Sequence, residues 1–481
     1  MDISSIFTHP ESQIACRSLR ETMTYGELYS RSENLAKELV HRGTKRVLVY
    51  GHKECMMLVA FLACLRAGAT YIPCSTGLPH DRLVDIAEAS HADLVLCAIG
   101  RGFSGSNKIP KENIKKLSQN PPETKVLLPE EIDGSSLAYV IFTSGASGIP
   151  RGIEATRDNL NNFIHWVDTA FTLSETPGRV LNMSMLSIDH SMVDIYYALT
   201  HGHTLIMTEQ ELKEDHTTLF RHFQTVNPHV IVTTPSVAEF CLERKNFNKA
   251  LMPALEVIYL MGEALHRTTP HSLYERFPDV TIINAYGPTE ATCNVCSCVI
   301  TKEMCEAPIP IGDMNQGATQ IAVMDQNEDI ILEDGAEGEI VLIGPSVTAG
   351  YTDGSTGGFC EIDGKRAYRT GDIGVVREGK LYWIARKDSQ VKVGGYRLES
   401  SDVEINICRI DGVIACGVIV QYGHLVAYVT LDKEKQMTPG QIRMAARQFL
   451  PQYMIPGIVR ILDSMPMNDK GKLDRVRLAQ L

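Results

Sequence analysis

The sequence predicts an α/β protein with a large N-terminal domain of wound β-sheets that includes a small barrel-like unit, and a small α+β C-terminal domain. Three observations predict it: a length of 481 residues, short strands alternating with amphipathic helices, and a later change to strands joined by Gly and Asp turns. At roughly 150 residues per domain, the length corresponds to two or three folding units. A content of 44% hydrophobic and 22% charged residues excludes collagenous, coiled-coil and disordered chains.

The first part of the chain alternates predicted strands with predicted helices. The strands are short runs rich in Val and Ile, over residues 46–50, 93–97, 137–142, 230–233 and 281–284. The clearest helix spans residues 25–42, where apolar residues recur at helical spacing, Thr24 precedes the run as a cap and Gly43 ends it. This alternation is typical of a wound sheet with helices on its faces.

The pattern changes from residue 320. Short strands follow over 321–324, 338–343, 381–385 and 390–393, which is typical of a smaller antiparallel or barrel-like unit. After residue 397 the alternation returns through 401–408, 412–421, 425–431 and 441–449, and predicts a small α+β domain. We place the boundary at Asp388, so that the predicted domains are 1–387 and 388–481.

Charge and hydropathy exclude several classes of partner. The net charge of -12 disfavours nucleic acid and anionic membrane surfaces. The longest apolar run, residues 56–65, is about half of the ~20 residues needed to span a bilayer. The N-terminus shows no basic segment followed by an apolar one, and the odd number of cysteines, 13, fits reduced thiols. We therefore expect a cytoplasmic protein.

A loop after a buried strand could bind phosphate. Residues 143–152 read Thr-Ser-Gly-Ala-Ser-Gly-Ile-Pro-Arg-Gly, and glycine lets the backbone approach a phosphate while hydroxyl groups donate hydrogen bonds. The Gly-Lys-Ser/Thr ending of a Walker loop is absent. Taken alone, a stretch of this kind is more often a surface turn, so the interpretation depends on the other motifs.

Six motifs occur in a fixed order, over residues 66–73, 143–152, 284–290, 368–372, 386–392 and 471–475. With them the chain resembles the adenylate-forming (AMP-binding) enzymes, which include acyl-CoA synthetases, luciferases and the adenylation domains of peptide synthetases. The resemblance extends from about Thr24 to Arg475. Within that family, residues 163–166, 189–196 and 450–456 are most similar to stand-alone amino-acid ligases, notably D-alanine carrier-protein ligases.

The resemblance implies a two-step ligase. The first step activates a small amino acid with ATP and Mg²⁺ as its aminoacyl adenylate, and the second transfers it to the phosphopantetheine thiol of a separate carrier protein. The first step brings two anions together, so the site needs positive charge and a metal ion. CoA as the thiol acceptor, or a catalytically silent nucleotide-binding protein, are the alternatives.

The resemblance also implies roles for single residues. The implied catalytic residues are Lys472, Thr143 and Arg151. Contacts to ATP are implied for Thr143, Ser144, Gly145, Ser147, Gly148, Asn284, Ala285, Tyr286, Gly287, Thr289, Asp372 and Arg386. Glu290 would hold Mg²⁺, which prefers hard oxygen ligands. Asp388 would be a hinge about which the mobile C-terminal domain turns, so that Lys472 leaves the site and the thiol tunnel forms at Gly394 and Gly395.

The implied amino-acid pocket is small. It comprises Asp189, His190, Val193, Val232, Tyr259, Met261, Gly262, Cys293 and Asn294, beside Ala285. Asp189 would pair with the α-ammonium group, although on local grounds it could equally cap the helix that follows. Met261 stands where D-alanine ligases usually have Cys, and with Tyr259 it limits the volume. Glycine, either alanine enantiomer, and serine are the expected candidates, serine because Asn294 could bind a hydroxyl.

Overall fold

The structure is a computed structural model of the 481-residue chain. It describes residues 1–99, 103–105, 109–145, 148–174, 176–209, 215–314, 316–331, 333–387, 390–421, 423–432, 434–467 and 473–481. Among these residues, no helix combines the length and the apolar composition that crossing a bilayer requires. All thirteen cysteines fall within the described ranges, and each is a free thiol.

Helices and strands alternate through most of the chain. The helices are α1 (Tyr25–Arg42), α2 (Cys55–Ala67), α3 (His80–Ala89), α4 (Ile114–Gln119), α5 (Arg157–Ala170), α6 (Ser191–Thr200), α7 (His216–Val226), α8 (Pro235–Leu242), α9 (Thr268–Arg276), α10 (Ser400–Cys408), α11 (Pro439–Ala446) and α12 (Arg475–Leu478).

The strands of the first half are β1 (Ile14–Arg17), β2 (Thr22–Thr24), β3 (Arg46–Gly51), β4 (Thr70–Ser75), β5 (Leu94–Cys97), β6 (Lys111–Asn113), β7 (Leu137–Thr143), β8 (Arg151–Thr156), β9 (Arg179–Asn182), β10 (Thr204–Met207), β11 (Val230–Thr233), β12 (Val257–Met261), β13 (Thr281–Tyr286) and β14 (Cys296–Ile300). Those of the second half are β15 (Gly312–Asp313), β16 (Gln320–Met324), β17 (Ile330–Ile331), β18 (Glu337–Ile343), β19 (Gly350–Tyr351), β20 (Phe359–Ile362), β21 (Lys365–Arg377), β22 (Lys380–Arg386), β23 (Gln390–Val393), β24 (Tyr396–Glu399), β25 (Val413–Gln421), β26 (His424–Leu431) and β27 (Ile458–Ile461).

Two large sheets form the first part of the molecule. An eight-stranded sheet has the order β14-β13-β12-β11-β9-β10-β1-β2 and a seven-stranded sheet the order β19-β8-β7-β4-β3-β5-β6. Their central strands pair in parallel, as in β11 with β12 and β3 with β4, whereas β14 pairs antiparallel with β13 and β8 antiparallel with β7. The largest hydrophobic core contains buried residues of both sheets and of helix α2. This packing agrees with near-continuous apolar strands covered on both faces.

The remaining sheets are smaller. A seven-stranded antiparallel sheet has the order β15-β22-β21-β18-β16-β17, with β20 on β21. Strands β23 and β24 form a two-stranded hairpin, and β25-β26-β27 form a sheet with its own hydrophobic core. The predicted α/β fold class with a small C-terminal α+β part is confirmed. The boundary between 387 and 388 stays a prediction, since residue 388 lies outside the described residues.

Helix α1 shows how the local sequence determines an element. It covers the predicted residues, because the Thr24 hydroxyl accepts a hydrogen bond from the Glu27 backbone while the Glu27 carboxylate accepts one from the Thr24 backbone. This reciprocal pair satisfies two backbone N–H groups that a helix start leaves free. Gly43 ends the helix at φ 67°, a left-handed conformation that glycine adopts without strain.

Candidate active site

The predicted nucleotide motifs converge on one cavity at the ends of β7 and β13. The cavity has a volume of about 70 Å³, and residues of both the large sheets and the β23–β24 hairpin line it. From the predicted site it contains Thr143, Ser144, Asp189, His190, Gly262, Tyr286, Gly287, Thr289, Asp372, Arg386 and Gly395. The sequence motifs are far apart along the chain, and the fold brings them together here.

The predicted phosphate loop contacts the β23–β24 hairpin. The Ser144 hydroxyl donates to the Arg397 carbonyl at 3.0 Å and accepts from the Glu399 N–H at 3.0 Å. A Cβ at Gly145 would collide with the carbonyl of Ile149, so glycine is required where the loop folds back on itself. Gly148 has φ +81° and lies against Ile405 of α10. The predicted ATP contact Ser147 lies outside the described residues.

Asp372 is the centre of a buried hydrogen-bond network. Its Oδ2 accepts from the Tyr286 hydroxyl at 2.7 Å. Its Oδ1 accepts from Trp383 Nε1 at 2.9 Å and from Arg386 Nη1 at 3.0 Å. These donors fix the carboxylate between the predicted adenine-binding ring and the predicted second ribose contact.

Glu290, the predicted metal ligand, is bound by protein groups. It is buried in a short 3-10 turn, and its Oε1 accepts from the Tyr351 hydroxyl at 2.8 Å. Its Oε2 forms an ion pair with Arg397 from the hairpin. Burial opposes ionisation, but the charge and hydrogen bond of Arg397 outweigh it and lower the pKa of the Glu290 carboxyl. The guanidinium of Arg397, which comes from the C-terminal part of the chain, is therefore the ion-pair partner of the Glu290 carboxylate.

Lys392 brings a second cation of the hairpin into the cavity. Its Nζ lies 5.8 Å from the centre of the Tyr286 ring, the ring predicted to face adenine. Burial lowers the pKa of Lys392, while the charge of Asp372 opposes that shift. With Lys392 and Arg397 inside, the cavity is much smaller than the 300 to 1,000 Å³ that is roughly usual for ligand pockets.

One predicted ATP contact, Asn284, and one predicted catalytic residue, Arg151, point elsewhere. The Asn284 amide donates to the Pro310 carbonyl at 2.8 Å. The Arg151 guanidinium lies 4.6 Å from the centre of the Tyr351 ring and 3.5 Å from Asp353. Neither side chain lines the cavity. Arg151 is nevertheless near the Glu290 carboxylate, because Tyr351 contacts both: its ring packs on the Arg151 guanidinium and its hydroxyl donates to Glu290 Oε1.

Asp189 is a buried carboxylate that the described residues leave without a partner. It is 8% exposed, and no described residue gives its carboxylate a hydrogen bond or an ion pair. Helix α6 begins at Ser191 with no side-chain cap, so Asp189 does not cap this helix. An unpaired buried carboxylate is costly, and a cationic ligand would relieve that cost.

The other predicted pocket residues pack tightly beside Asp189. Five of them and Ala285 belong to one core: Val193, Val232, Tyr259, Met261, Ala285 and Cys293. The Asn294 amide donates to the Tyr259 hydroxyl at 3.2 Å, while its own Oδ1 is buried and accepts from no described residue. Burial raises the pKa of the Cys293 thiol, and the negative charge of Asp189 raises it further. The pocket therefore offers two free acceptors and little volume.

A second cavity, of about 250 Å³, adjoins the first. It is lined by Met183, Ser184, Met185, Ile188, His190, Leu219, Thr233, Thr234, Val237, Phe240, Gly394, Gly395 and Tyr396. The Gly395 N–H donates to Glu263 Oε1 at 2.8 Å, and a Cβ at Gly395 would collide with Thr234. Gly394 and Gly395, which were predicted to form a thiol tunnel, thus line this cavity, and the backbone at Gly395 packs closely against Thr234.

Besides Ser147, two predicted residues lie outside the described part of the chain. They are Lys472, the predicted catalytic lysine, and Asp388, the predicted hinge. The next described residues belong to the C-terminal unit: Leu473 packs on Gly417, and Arg475 bonds Glu404 at 2.6 Å.

Four residues that lie at the site were not predicted from the sequence to belong to it. These are Lys392, Arg397, Tyr351 and Glu263. Arg397 lies two positions after Gly395. A positively charged residue close to a Gly-Gly turn was therefore the sequence feature that could have predicted its place in the site. Tyr351 and Glu263 carried no signal in the sequence.

Comparison with known proteins identifies the family. A family model described as AMP-binding enzyme matches residues 6–352. The chain belongs to this family. The relatives of this AMP-binding enzyme include the D-alanine--D-alanyl carrier protein ligase of Bacillus velezensis, 34% identical over 97% of this chain and 96% of that protein. The protein of the same name from Listeria monocytogenes is 32% identical, over 95% and 93% of the two chains.

Solved structures have the same fold. The adenylation domain AlmE of Vibrio cholerae, in complex with glycyl-adenosine-5'-phosphate, has a TM-score of 0.85 at 23% identity and covers 99% of this chain and 96% of that one. PA1221, a protein with adenylation and PCP domains, has a TM-score of 0.83 at 24% identity, over 99% and 84% of the two chains. The predicted resemblance to adenylate-forming ligases of the D-alanine carrier-protein type is confirmed by the curated relatives, and with it a ligase that uses ATP.

Proposed function

We propose that this AMP-binding enzyme activates a small amino acid as its aminoacyl adenylate and transfers it to the phosphopantetheine thiol of a separate carrier protein. The observation that carries the proposal is the buried carboxylate of Asp189, which lines the nucleotide cavity and has no hydrogen-bond or ion-pair partner among the described residues. An α-ammonium group would supply the missing partner. The curated relatives, which are named for D-alanine and a carrier protein, support the same reading.

In the proposed first step, Tyr286 faces adenine while Asp372 and Arg386 hold the ribose. The loop from Thr143 to Gly148 binds phosphate oxygens, and Lys472 neutralises charge as pyrophosphate leaves. Each of these groups stabilises the negative charge that develops when the amino-acid carboxylate attacks the α-phosphate. The hairpin has to withdraw Lys392 and Arg397 before ATP enters, because both line the small cavity and Lys392 Nζ lies 5.8 Å from the centre of the Tyr286 ring.

The donor set at Glu290 fits Mg²⁺. Mg²⁺ is commonly bound through one or two carboxylates together with substrate phosphates. Glu290 is a buried carboxylate with Tyr351 as an orienting donor, and within the described ranges no three acidic, His or Cys side chains group into a site that would hold a metal by themselves. Bound there with ATP, the ion would neutralise phosphate charge. We propose Glu290 as its protein ligand.

In the proposed second step, the arrangement that the structure describes is the productive one. The hairpin occupies the site, and the cavity lined by Gly394 and Gly395 reaches His190 beside the nucleotide cavity. A pantetheine arm would enter there and meet the adenylate. The residues that hold the hairpin in place are Glu263, which accepts from the Gly395 N–H, and Ser144.

The packing around Asp189 favours a small side chain. Tyr259 and Met261 are fully buried in the core beside the pocket, so a large substrate would have to displace them. Glycine and alanine are our leading candidates, with serine next, because no described residue donates to Asn294 Oδ1 and a substrate hydroxyl could do so. The reaction consumes ATP, and thirteen free thiols fit a reducing compartment, so we propose that it takes place in the cytoplasm.

The test is amino-acid-dependent exchange of pyrophosphate into ATP, measured over a panel of glycine, both alanine enantiomers, serine and phenylalanine. We expect the small amino acids to support exchange and phenylalanine to be poor. Met261→Ala should widen the range of substrates, whereas Met252→Ala, a buried methionine in a different core, should not. Faster exchange with phenylalanine than with glycine by the unmutated protein would contradict the proposal.

The acceptor needs a separate measurement. Transfer of the activated amino acid to a phosphopantetheinylated carrier protein is compared with transfer to CoA at equal concentrations. Faster transfer to the carrier protein is expected, and faster transfer to CoA would favour an acyl-CoA synthetase instead. Absence of exchange with every amino acid would favour a silent nucleotide-binding protein.

A further inference from the structure

The two cavities of the site share a boundary of four residues. Ile188, His190, Gly395 and Tyr396 line both the nucleotide cavity and the neighbouring cavity of about 250 Å³. A thiol that enters through the second cavity meets an adenylate in the first at this boundary. Whatever assists the thiol chemistry is therefore expected among these side chains.

Only one of the four can accept a proton at neutral pH. Ile188 and Gly395 have no acceptor in their side chains. Tyr396 stacks on Tyr453 at 3.9 Å, and burial raises the pKa of its phenol to about 12. It therefore stays protonated at neutral pH. The remaining side chain is the imidazole of His190.

The His190 ring is held in place at this boundary. It lies on Gly262, where any Cβ would collide with the ring. Its Nδ1 is buried, and no described residue forms a hydrogen bond with it. The neighbouring carboxylate of Glu263 is already used, since Oε1 accepts from the Gly395 N–H and Oε2 from the Ser236 hydroxyl at 2.5 Å.

The charge environment keeps His190 neutral. Burial is the main effect and lowers the pKa of the imidazole, and the cation of Lys392 acts in the same direction. The carboxylates of Asp189 and Glu263 oppose the shift without cancelling it. A neutral imidazole has one nitrogen free to accept a proton, which is what a general base requires.

We propose that His190 is the general base of the thioester-forming step and accepts the proton of the incoming thiol. The inference rests on the proposed function, because it needs both the adenylate and the thiol. The S–H bond breaks as its proton moves to an imidazole nitrogen, and the sulfur attacks the carbonyl carbon of the adenylate. The C–S bond forms, the bond from that carbon to the phosphate oxygen breaks, and AMP leaves. The imidazolium then releases the proton to solvent.

A pH profile separates this role from a structural one. Without a base, the thiol must ionise by itself. Alkyl thiols have pKa values well above 7, about 8.5 for the cysteine side chain, so at most a few per cent is thiolate at pH 7. An enzyme that lacks the base should therefore be slow at pH 7 and recover as the pH rises to 9. An enzyme that has lost only packing should be impaired by the same factor at both pH values.

The experiment compares His190→Gln with the unmutated protein and with His222→Gln. His222 on α7 is a matched control outside both cavities, since it also has a buried ring nitrogen without a described partner, and burial lowers its pKa to about 4. Pyrophosphate exchange reports the first step. Single-turnover transfer from enzyme-bound adenylate to free pantetheine reports the second, with each rate measured at pH 7 and pH 9.

We expect His190→Gln to lose about 10- to 100-fold in transfer at pH 7 and to regain most of that loss at pH 9. Its exchange rate should change by a single factor at both pH values, and His222→Gln should follow the unmutated protein throughout. Wild-type transfer by His190→Gln at pH 7, or an equal loss at both pH values, would refute the role of His190. Failure of the unmutated protein to catalyse exchange or transfer would instead refute the proposed function.

Discussion

Two buried carboxylates of the site differ in their partners. Glu290 is paired with Arg397 and accepts from Tyr351, whereas Asp189 has no hydrogen-bond or ion-pair partner among the described residues. Because a buried carboxylate without a hydrogen bond or an ion pair is costly, the difference supports the proposal that Asp189 binds a cationic ligand. The bound amino acid is the proposed ligand, so the charge of Asp189 should determine which acids are activated.

Asp189→Asn should lower kcat/KM for the amino acid in pyrophosphate exchange by about 30- to 1,000-fold, the scale of losing one side of a buried charge pair. It should also reduce the preference for alanine over propanoate, which lacks only the ammonium group. Asp215→Asn is the control, because Asp215 caps α7 away from the cavities and Asn is an equally good cap. An unchanged preference in Asp189→Asn would rule out the pairing.

His203 should make the fold sensitive to acid. Its Nδ1 accepts from the Gly178 N–H at 2.9 Å. Burial, followed by the charges of His201, His229 and His9, lowers its pKa to about 4. The unfolded chain then binds a proton at higher pH than the folded one, so this stability is complete above about pH 6.5 and falls as the pH drops towards 4.

We therefore expect the free energy of unfolding in urea to fall by about 2 kcal/mol between pH 7 and pH 5 because of His203. His203→Asn keeps an acceptor for the Gly178 N–H but cannot titrate. The variant should lose about that much less than the unmutated protein over the same pH range. Equal losses in the two proteins would show that His203 does not carry the effect.

Single residues also show the limit of inference from sequence. Motif matching predicted the convergence of Tyr286 and Asp372, although Tyr286 ends β13 and Asp372 lies within β21. It also assigned Asn284 to the nucleotide, yet Asn284 faces Pro310. Asn284 and Tyr286 are two residues apart on β13 and share a face of the strand, so strand alternation does not separate them. A motif alone does not reveal that the Pro310 carbonyl accepts from the Asn284 amide.

At the scale of elements, the β23–β24 hairpin is the least predictable part of the site. The sequence predicted strand 390–393, and the structure has β23 over Gln390–Val393. What local pattern could not predict is where the hairpin docks. That depends on contacts such as Arg397 with Glu290, which are 107 residues apart, and on the orientation of the C-terminal unit. Helix α1, whose caps and periodicity are local, was predicted to the residue.

Gly395→Ala should hinder docking of the hairpin, because φ is +81° and the new methyl group would collide with Thr234. Overpacking of this kind costs about 1–3 kcal/mol. Transfer to pantetheine should therefore fall by about tenfold or more relative to exchange. Adding Thr234→Ser removes the colliding methyl group but keeps the hydroxyl that caps α8, and should restore part of the transfer rate.

Gly364→Ala is the matched control for the backbone. Its φ is +73°, and an added Cβ would meet no atom within 4 Å. It carries the conformational cost of the left-handed region without a collision. If Gly364→Ala and Gly395→Ala impair transfer equally, docking of the hairpin against Thr234 is not what limits the second step.

At the scale of the whole molecule, an ion pair outside the nucleotide cavity joins the two parts of the chain, in addition to Arg397 with Glu290 at the active site. Arg82 of α3 pairs with Asp402 of α10, and their side chains are 5% and 0% exposed. Asn406 also donates to Asp402 Oδ1, at 2.9 Å. A second pair, Arg409 with Asp81 at 2.8 Å, spans the same border but is exposed.

Breaking the buried pair should release the described arrangement. Asp402→Asn leaves a buried guanidinium unpaired, which costs about 3–5 kcal/mol, so transfer should decline relative to exchange. Arg82→Met combined with Asp402→Leu removes both charges and should restore much of the balance. Arg409→Gln should have little effect, since exposed pairs contribute about 1 kcal/mol or less. Equal effects of Asp402→Asn and Arg409→Gln would contradict a holding role for the buried pair.

If Glu290 binds Mg²⁺ as proposed, its ion pair with Arg397 would give the catalytic cycle a direction. Departure of pyrophosphate together with the ion would leave a buried carboxylate uncompensated, at a cost of about 3–5 kcal/mol. Arrival of Arg397 relieves that cost and carries the hairpin into the site with it. Release of the first product would then itself supply the driving force for the rearrangement that begins the second step. No further ligand would then be needed to start this rearrangement once pyrophosphate has left.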